Sequence, residues 1–148
     1  MNIVLGCDHA GFIFATKLGD YLKNVKYNVV HVGATSTEPY DYPDASDAVS
    51  AVILAEEASL GVLVCGTGIG VAMRANRHSH IRAAQCFTVE MAELARRHNH
   101  ANVLCLGGRI QDYGDCVEIL HAFIQTPEDH SPRHEQRVCK LDSPLATP

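Results

Sequence analysis

Cys65-Gly66-Thr67-Gly68-Ile69-Gly70 places a thiol, a hydroxyl and three glycines at the end of the apolar run Gly61-Val62-Leu63-Val64. An unbroken, largely branched run predicts a strand buried on both faces. The glycines permit a tight turn and let bare backbone approach a ligand. A short helical pattern follows from about 71 to 76. A strand, a glycine turn and a helix leave amides unpaired where negative charge is favoured, and the same field favours a thiolate at Cys65. The stretch therefore joins a potential base to an anion site. Cysteine is also a common small buried residue, and spacing alone leaves those two readings of Cys65 level.

Nucleotide fingerprints do not fit. The dinucleotide motif requires glycine where Val71 stands, and a Walker loop requires Lys then Ser or Thr where Val71-Ala72 follow Gly70. Two further polar groups close strand-like runs: Asp8-His9 after 2–7, and Arg109 after 102–106 and a Gly-Gly pair. His98-Asn99 precede a strand instead, so they start at the opposite sheet edge from Cys65. A site using both must borrow one from a second chain or fold a loop over.

The elements that position these groups alternate along the chain. Strands are expected at 2–7, 27–32, 61–64, 81–86 and 102–106. Helices are expected at 12–23, 45–58, 71–76, 88–98 and 112–125, with Thr88 as an N-cap. Alternation with no repeat and no composition break predicts a five-stranded parallel sheet with helices on both faces, an α/β/α sandwich, with the ligand beyond the carboxyl ends of the strands. Strand order is not legible from pattern.

Composition narrows the classes. The 148 residues, 47% hydrophobic and 20% charged, suit one globular domain, 1–148. A net charge of −5 argues against nucleic acid as the main partner. No apolar run is long enough for a membrane span, and the chain opens on a strand rather than a signal peptide. Six cysteines form no CxxC pair and no disulfide framework, so a reducing cytoplasm is expected. There are nine histidines, but neither His78-x-His80 nor His98-x-His100 has companions at zinc-site spacing, so no metal is expected.

Taken together, the Asp8-His9 turn, Asp41-Tyr42-Pro43, Cys65 to Gly70, His98-Asn99, Gly108-Arg109 and the Arg133…Arg137 tail resemble the type B ribose-5-phosphate isomerases. These form one sugar-phosphate isomerase family with the galactose-6-phosphate isomerase subunits. The resemblance covers nearly the whole chain. It implies a Rossmann-like fold, a homodimer or tetramer with sites shared between subunits, and interconversion of D-ribose 5-phosphate and D-ribulose 5-phosphate without cofactor. Cys65, with no carboxylate in the turn, matches the cysteine-base branch. His100 stands where the family often has Asp.

Roles follow by resemblance. Cys65 is the base, and Thr67 bonds the thiolate or substrate. Amides across Gly66, Gly68, Ile69 and Gly70 hold the enediolate. His98 is the ring-opening acid and Asp8 accepts the anomeric proton. Arg109, Arg133 and Arg137, with His9 and His134, clamp the phosphate, since guanidinium forks fit its oxygens. Tyr42 and Asn99 contact sugar hydroxyls. The tail from about 127 is expected to be ordered by substrate or a partner subunit.

Each residue also has a plainer use. Thr67 is a turn former, Asp8 a helix N-cap, His98 a helix C-terminal cation, and Arg133 with Arg137 a solvated i, i+4 face. Two other functions stay open: a hexose-6-phosphate isomerase for allose or galactose phosphate, and a non-catalytic module that binds a phosphate ligand.

Overall fold

Strands β1 (Asn2–Cys7), β2 (Asn28–Gly33), β3 (Leu60–Cys65), β4 (Ala83–Gln85) and β5 (Val103–Gly107) form one sheet in the order β2-β1-β3-β5-β4. Every pairing is parallel. The helices are α1 (Phe12–Asn24), α2 (Tyr42–Leu54), α3 (Ile69–Ala75), α4 (Val89–Asn99), α5 (Tyr113–Gln125) and α6 (Pro132–Asp142). This computed structural model describes residues 1–143. The expected α/β/α sandwich with a five-stranded parallel sheet is what forms.

The central strands alternate faces, as a two-residue period requires. Ile3, Leu5, Val62, Val64, Leu104 and Leu106 point to the layer of α1, α4 and α5, joining Leu18, Leu22, Ile119 and Phe123. Val4, Leu63, Cys65, Val103 and Cys105 point to α2 and α3, against Val49, Val71 and Ala75. Cys65 is thereby aimed at the α3 side of its own turn. β1 leads to β2 on one side while β3 lies on the other, so the strand order reverses between β1 and β3. A crevice is expected beyond the carboxyl ends of that pair.

Several boundaries shift for local reasons. Helix α2 starts at Tyr42 rather than near 45, because proline's fixed φ suits a first helical turn and Pro43 sits there. Helix α3 starts at Ile69 rather than 71, since Gly68 takes the left-handed conformation, φ +80°, and turns the chain straight into it. Strand β4 is cut to three residues. His80 has φ +64°, and the Arg82 amide donates to Asn102 Oδ1 at 2.8 Å, so the chain joins the sheet only at Ala83. Thr88 caps α4 as expected, its Oγ1 accepting from the Met91 amide at 3.1 Å.

Beside β4, the Asn76 side chain donates to the Ala83 carbonyl at 2.9 Å and accepts from its amide at 2.8 Å. The tail is a helix packed on its own chain. Pro132 occupies the first turn of α6, and His134 and Val138 are buried one turn apart against α4. At its far end, Asp142 takes two hydrogen bonds from Arg82 Nη1, at 2.8 and 3.0 Å, while Arg82 Nε donates to the His100 carbonyl. No helix among the described residues is long and apolar enough to cross a membrane.

Candidate active site

A cleft of about 470 Å³ opens beyond β1 and β3, where the strand order reverses. Asp8, His9, Tyr42, Cys65, Thr67 and Arg109 line it, together with Gly66, Ile69 and Gly70. Strand β1 ends at Cys7, so Asp8 and His9 leave the sheet directly into the cleft. The Asp8 Oδ1 accepts from the Gly11 amide at 2.8 Å, bracing the turn into α1 and leaving Oδ2 for other work. His9 Nδ1 lies 3.0 Å from the Tyr40 carbonyl, which fixes its ring against the loop before α2.

The glycine turn surrounds the sulfur. The Gly68 amide donates to Cys65 Sγ at 3.1 Å. Thr67 does not reach the sulfur: its Oγ1 accepts from the Ile69 amide at 3.3 Å, the plain turn role, and its O–H can still donate. The amides of Gly66, Thr67 and Gly70 have no partner among the described residues. Glycine at 70 has a separate cause, since a Cβ there would lie 2.8 Å from Tyr42 Cε2. The aromatic ring is thus laid against the turn.

The remaining core thiols are poor nucleophiles. Burial pushes Cys7 and Cys116 up to about 11, Cys86 to about 12, and Cys105 well above the ordinary range. Opposite Cys65, the Arg109 side chain lies over Gly66. It enters no ion pair among the described residues, whereas Arg74, Arg82 and Arg96 each hold a carboxylate. An unpaired guanidinium beside a thiol and open amides suits an anionic ligand.

The other expected residues gather elsewhere. β3 and β5 pair Gly61 with Val103 and Cys65 with Gly107. Cys65 therefore stands four residues, roughly 13 Å, beyond the level where β5 begins. Helix α4 ends before that level, carrying His98 and Asn99. The His98 ring stacks on buried His134 of α6, centroids 4.3 Å apart and planes 3° apart. Arg133 Nη2 lies 3.1 Å from His134 Nε2. Burial, then the facing His98, pushes the His134 pKa below the ordinary histidine range. Arg133 and Arg137 lie on the same α6 face and also lack carboxylate partners among the described residues. Asn99 lines a separate cavity of about 370 Å³ with Arg82 and Leu141. The expected site residues thus fall into two groups at opposite ends of the strands.

Sequence reading passes over Gln85. Its Nε2 donates to the Thr67 carbonyl at 2.6 Å, so the end of β4 holds the glycine turn in place. The available signal is a lone polar residue closing an alanine-rich strand.

A family model described as Ribose/Galactose Isomerase matches residues 3–141. The chain belongs to this family. The Ribose/Galactose Isomerase fold extends through nearly all of it. The ribose-5-phosphate isomerase B of Escherichia coli (strain K12) is 35% identical over 137 residues, covering 93% of this chain and 91% of that one. A solved ribose 5-phosphate isomerase from Thermotoga maritima is 42% identical with a TM-score of 0.93, covering 95% of this chain and 97% of that one. The Clostridium thermocellum ribose-5-phosphate isomerase B structure gives 35% identity and a TM-score of 0.93, covering 96% and 95%.

Proposed function

We propose that this chain is an aldose–ketose isomerase interconverting D-ribose 5-phosphate and D-ribulose 5-phosphate. The observation that carries the reading is the Cys65 sulfur, held by the Gly68 amide in a cleft with an unpaired Arg109. Relatives named as this isomerase match over nearly the full chain.

The reaction moves a proton between neighbouring carbons through an enediolate. The closed sugar must open first: His98 protonates the ring oxygen while Asp8, through its free Oδ2, takes the anomeric proton. Cys65 thiolate then removes the proton from the carbon beside the carbonyl and returns it to its neighbour. Amides of the turn bind the developing oxyanion, each worth about 3 kcal/mol by comparison with oxyanion holes. Thr67 O–H is placed to donate to the same oxygens. Tyr42 and Asn99 bind sugar hydroxyls, and Arg109, Arg133 and Arg137, with His9 and His134, hold the phosphate.

Because the two groups, each a half-site, lie at opposite ends of the strands, the working unit is a homodimer. Each cleft takes His98, Asn99 and the α6 arginines from a second copy. The tail reaches its partner as a rigid helix rather than a loose strap. A tetramer would be two such dimers. Six free cysteines, among them the proposed base, suit a reducing compartment, which supports reading the enzyme as cytoplasmic.

Steady-state assays with ribose 5-phosphate and allose 6-phosphate side by side test the reading. Wild type should turn over the pentose, and Cys65→Ala should lower kcat by roughly 10²–10⁴-fold. Turnover of allose 6-phosphate alone would move the assignment to a hexose enzyme. Saturable binding without turnover of either sugar would move it to a binding module.

A further inference from the structure

We propose a divalent transition-metal site where the end of α4, the 126–131 connection and the start of α6 meet. Its donors are His100, His130 and Glu135, with Glu128 as a fourth ligand. One ligand atom from each of the first three lies within 4.8 Å of the others. The site shares no residue with the isomerase machinery, so its fate and that of the isomerase reading are separate.

His100 is the anchor. It closes α4 with φ +48° and is 4% exposed. Its Nε2 lies 3.0 Å from the Asp129 carbonyl, which only accepts, so Nε2 carries the proton and Nδ1 holds the lone pair. Nδ1 makes no hydrogen bond; it faces Glu128 Oε2 at 3.7 Å. Glu128 is itself oriented, because Arg96 Nη1 holds its other oxygen at 2.9 Å. Glu128 Oε2 is also 3.9 Å from His130 Nε2, while Glu135 Oε1 meets His130 Nδ1.

Tetrahedral ligands at about 2.1 Å from a metal lie roughly 3.4 Å from one another. Glu128 Oε2, at 3.7 Å from His100 Nδ1 and 3.9 Å from His130 Nε2, is close to that spacing from both rings, and the exposed His130 ring can turn toward His100. A buried imidazole whose tautomer is set by a carbonyl is how proteins orient a histidine ligand. Two imidazoles with carboxylates favour Zn²⁺, Ni²⁺ or Cu²⁺ over Mg²⁺ or Ca²⁺. A bound ion would staple α6 to α4. Sequence reading misses the site because the companions of His100 lie some thirty residues downstream on another element.

Full-length protein, stripped with chelator and dialysed, is titrated with Zn²⁺ by calorimetry, and with Co²⁺ by absorption. The expected results are one Zn²⁺ per chain, a Tm that rises with Zn²⁺, and a Co²⁺ spectrum without a thiolate charge-transfer band. His130→Ala and Glu135→Gln, both at solvent-accessible side chains, should each weaken binding at least about tenfold without changing the metal-free Tm. Absence of saturable binding, a thiolate band, or undiminished affinity in both variants would overturn the site.

Discussion

Two crippled variants should repair one another. Cys65→Ala removes the proposed base from one half-site, and His98→Asn removes the proposed ring-opening acid from the other. The register of β3 against β5 sets the scale. Cys65 lies roughly 13 Å along the sheet from the level where β5 begins, and His98 lies before that level, on α4. No single imidazole covers that distance, so in the proposed two-fold dimer each cleft would draw Cys65 from one chain and His98 from the other. Each variant alone should retain roughly 1% of wild-type turnover or less. After equal mixing and subunit exchange, half of the dimers are mixed. Each mixed dimer has one cleft with both residues intact, so activity should climb to about a quarter of wild type. The assay is ribulose 5-phosphate formation, with exchange verified by mass-tagged subunits. A verified exchange that leaves turnover at the mean of the two parents would refute the split site.

Three further outcomes are expected. Gly68→Ala puts a side chain at φ +80°, with its Cβ 3.0 Å from the Leu106 carbonyl carbon. It should cost roughly 1–3 kcal/mol in urea unfolding and lower kcat more than it raises KM; unchanged kcat would separate the amide from the sulfur. Iodoacetamide at neutral pH should label Cys65 and the exposed Cys139, with ribose 5-phosphate protecting only Cys65. Cys7, Cys86 and Cys116, pushed up to about 11, 12 and 11, should stay protonated and slow, and rapid labelling of Cys86 by peptide mapping would contradict that. Asp47 is held at about 2, first by the Arg74 fork, with burial opposing and His78 assisting. A depressed carboxylate stabilises the fold above about pH 4, and that contribution disappears as pH falls through about 2. At 37% side-chain exposure the contribution is screened. Asp47→Asn should therefore cost about 1 kcal/mol or less at neutral pH in urea melts, converging with wild type near pH 2.

The strands that position the cleft were legible because Val62, Leu63 and Val64, like Val103 to Leu106, are buried on both faces and so read as unbroken apolar runs. The thiol, the turn glycines and Arg109 could be placed at strand ends from that alone, and His98 at the opposite edge. Strand order is set by crossovers that leave no local trace. The start of α2 was hidden because Pro43 reads as a loop breaker but is accommodated in a first turn. Strand β4 was overextended because Ile81 is apolar and buried without joining the ladder. Helix α6 is hidden by its charge: only His134 and Val138 are buried, too small a signal among Arg133, Glu135, Arg137, Lys140 and Asp142. Its contact with His98 is a tertiary fact that no sequence window contains.

Asn76 has a consequence beyond its own loop. By satisfying both main-chain groups of Ala83, it plugs the outermost ladder with a side-chain amide, as an incoming backbone would. A neighbouring molecule cannot splice an extended segment onto that border without first evicting the plug. Fibril-like growth from this flank is thereby obstructed by a single carboxamide, and the fold needs neither proline nor a lysine fence there.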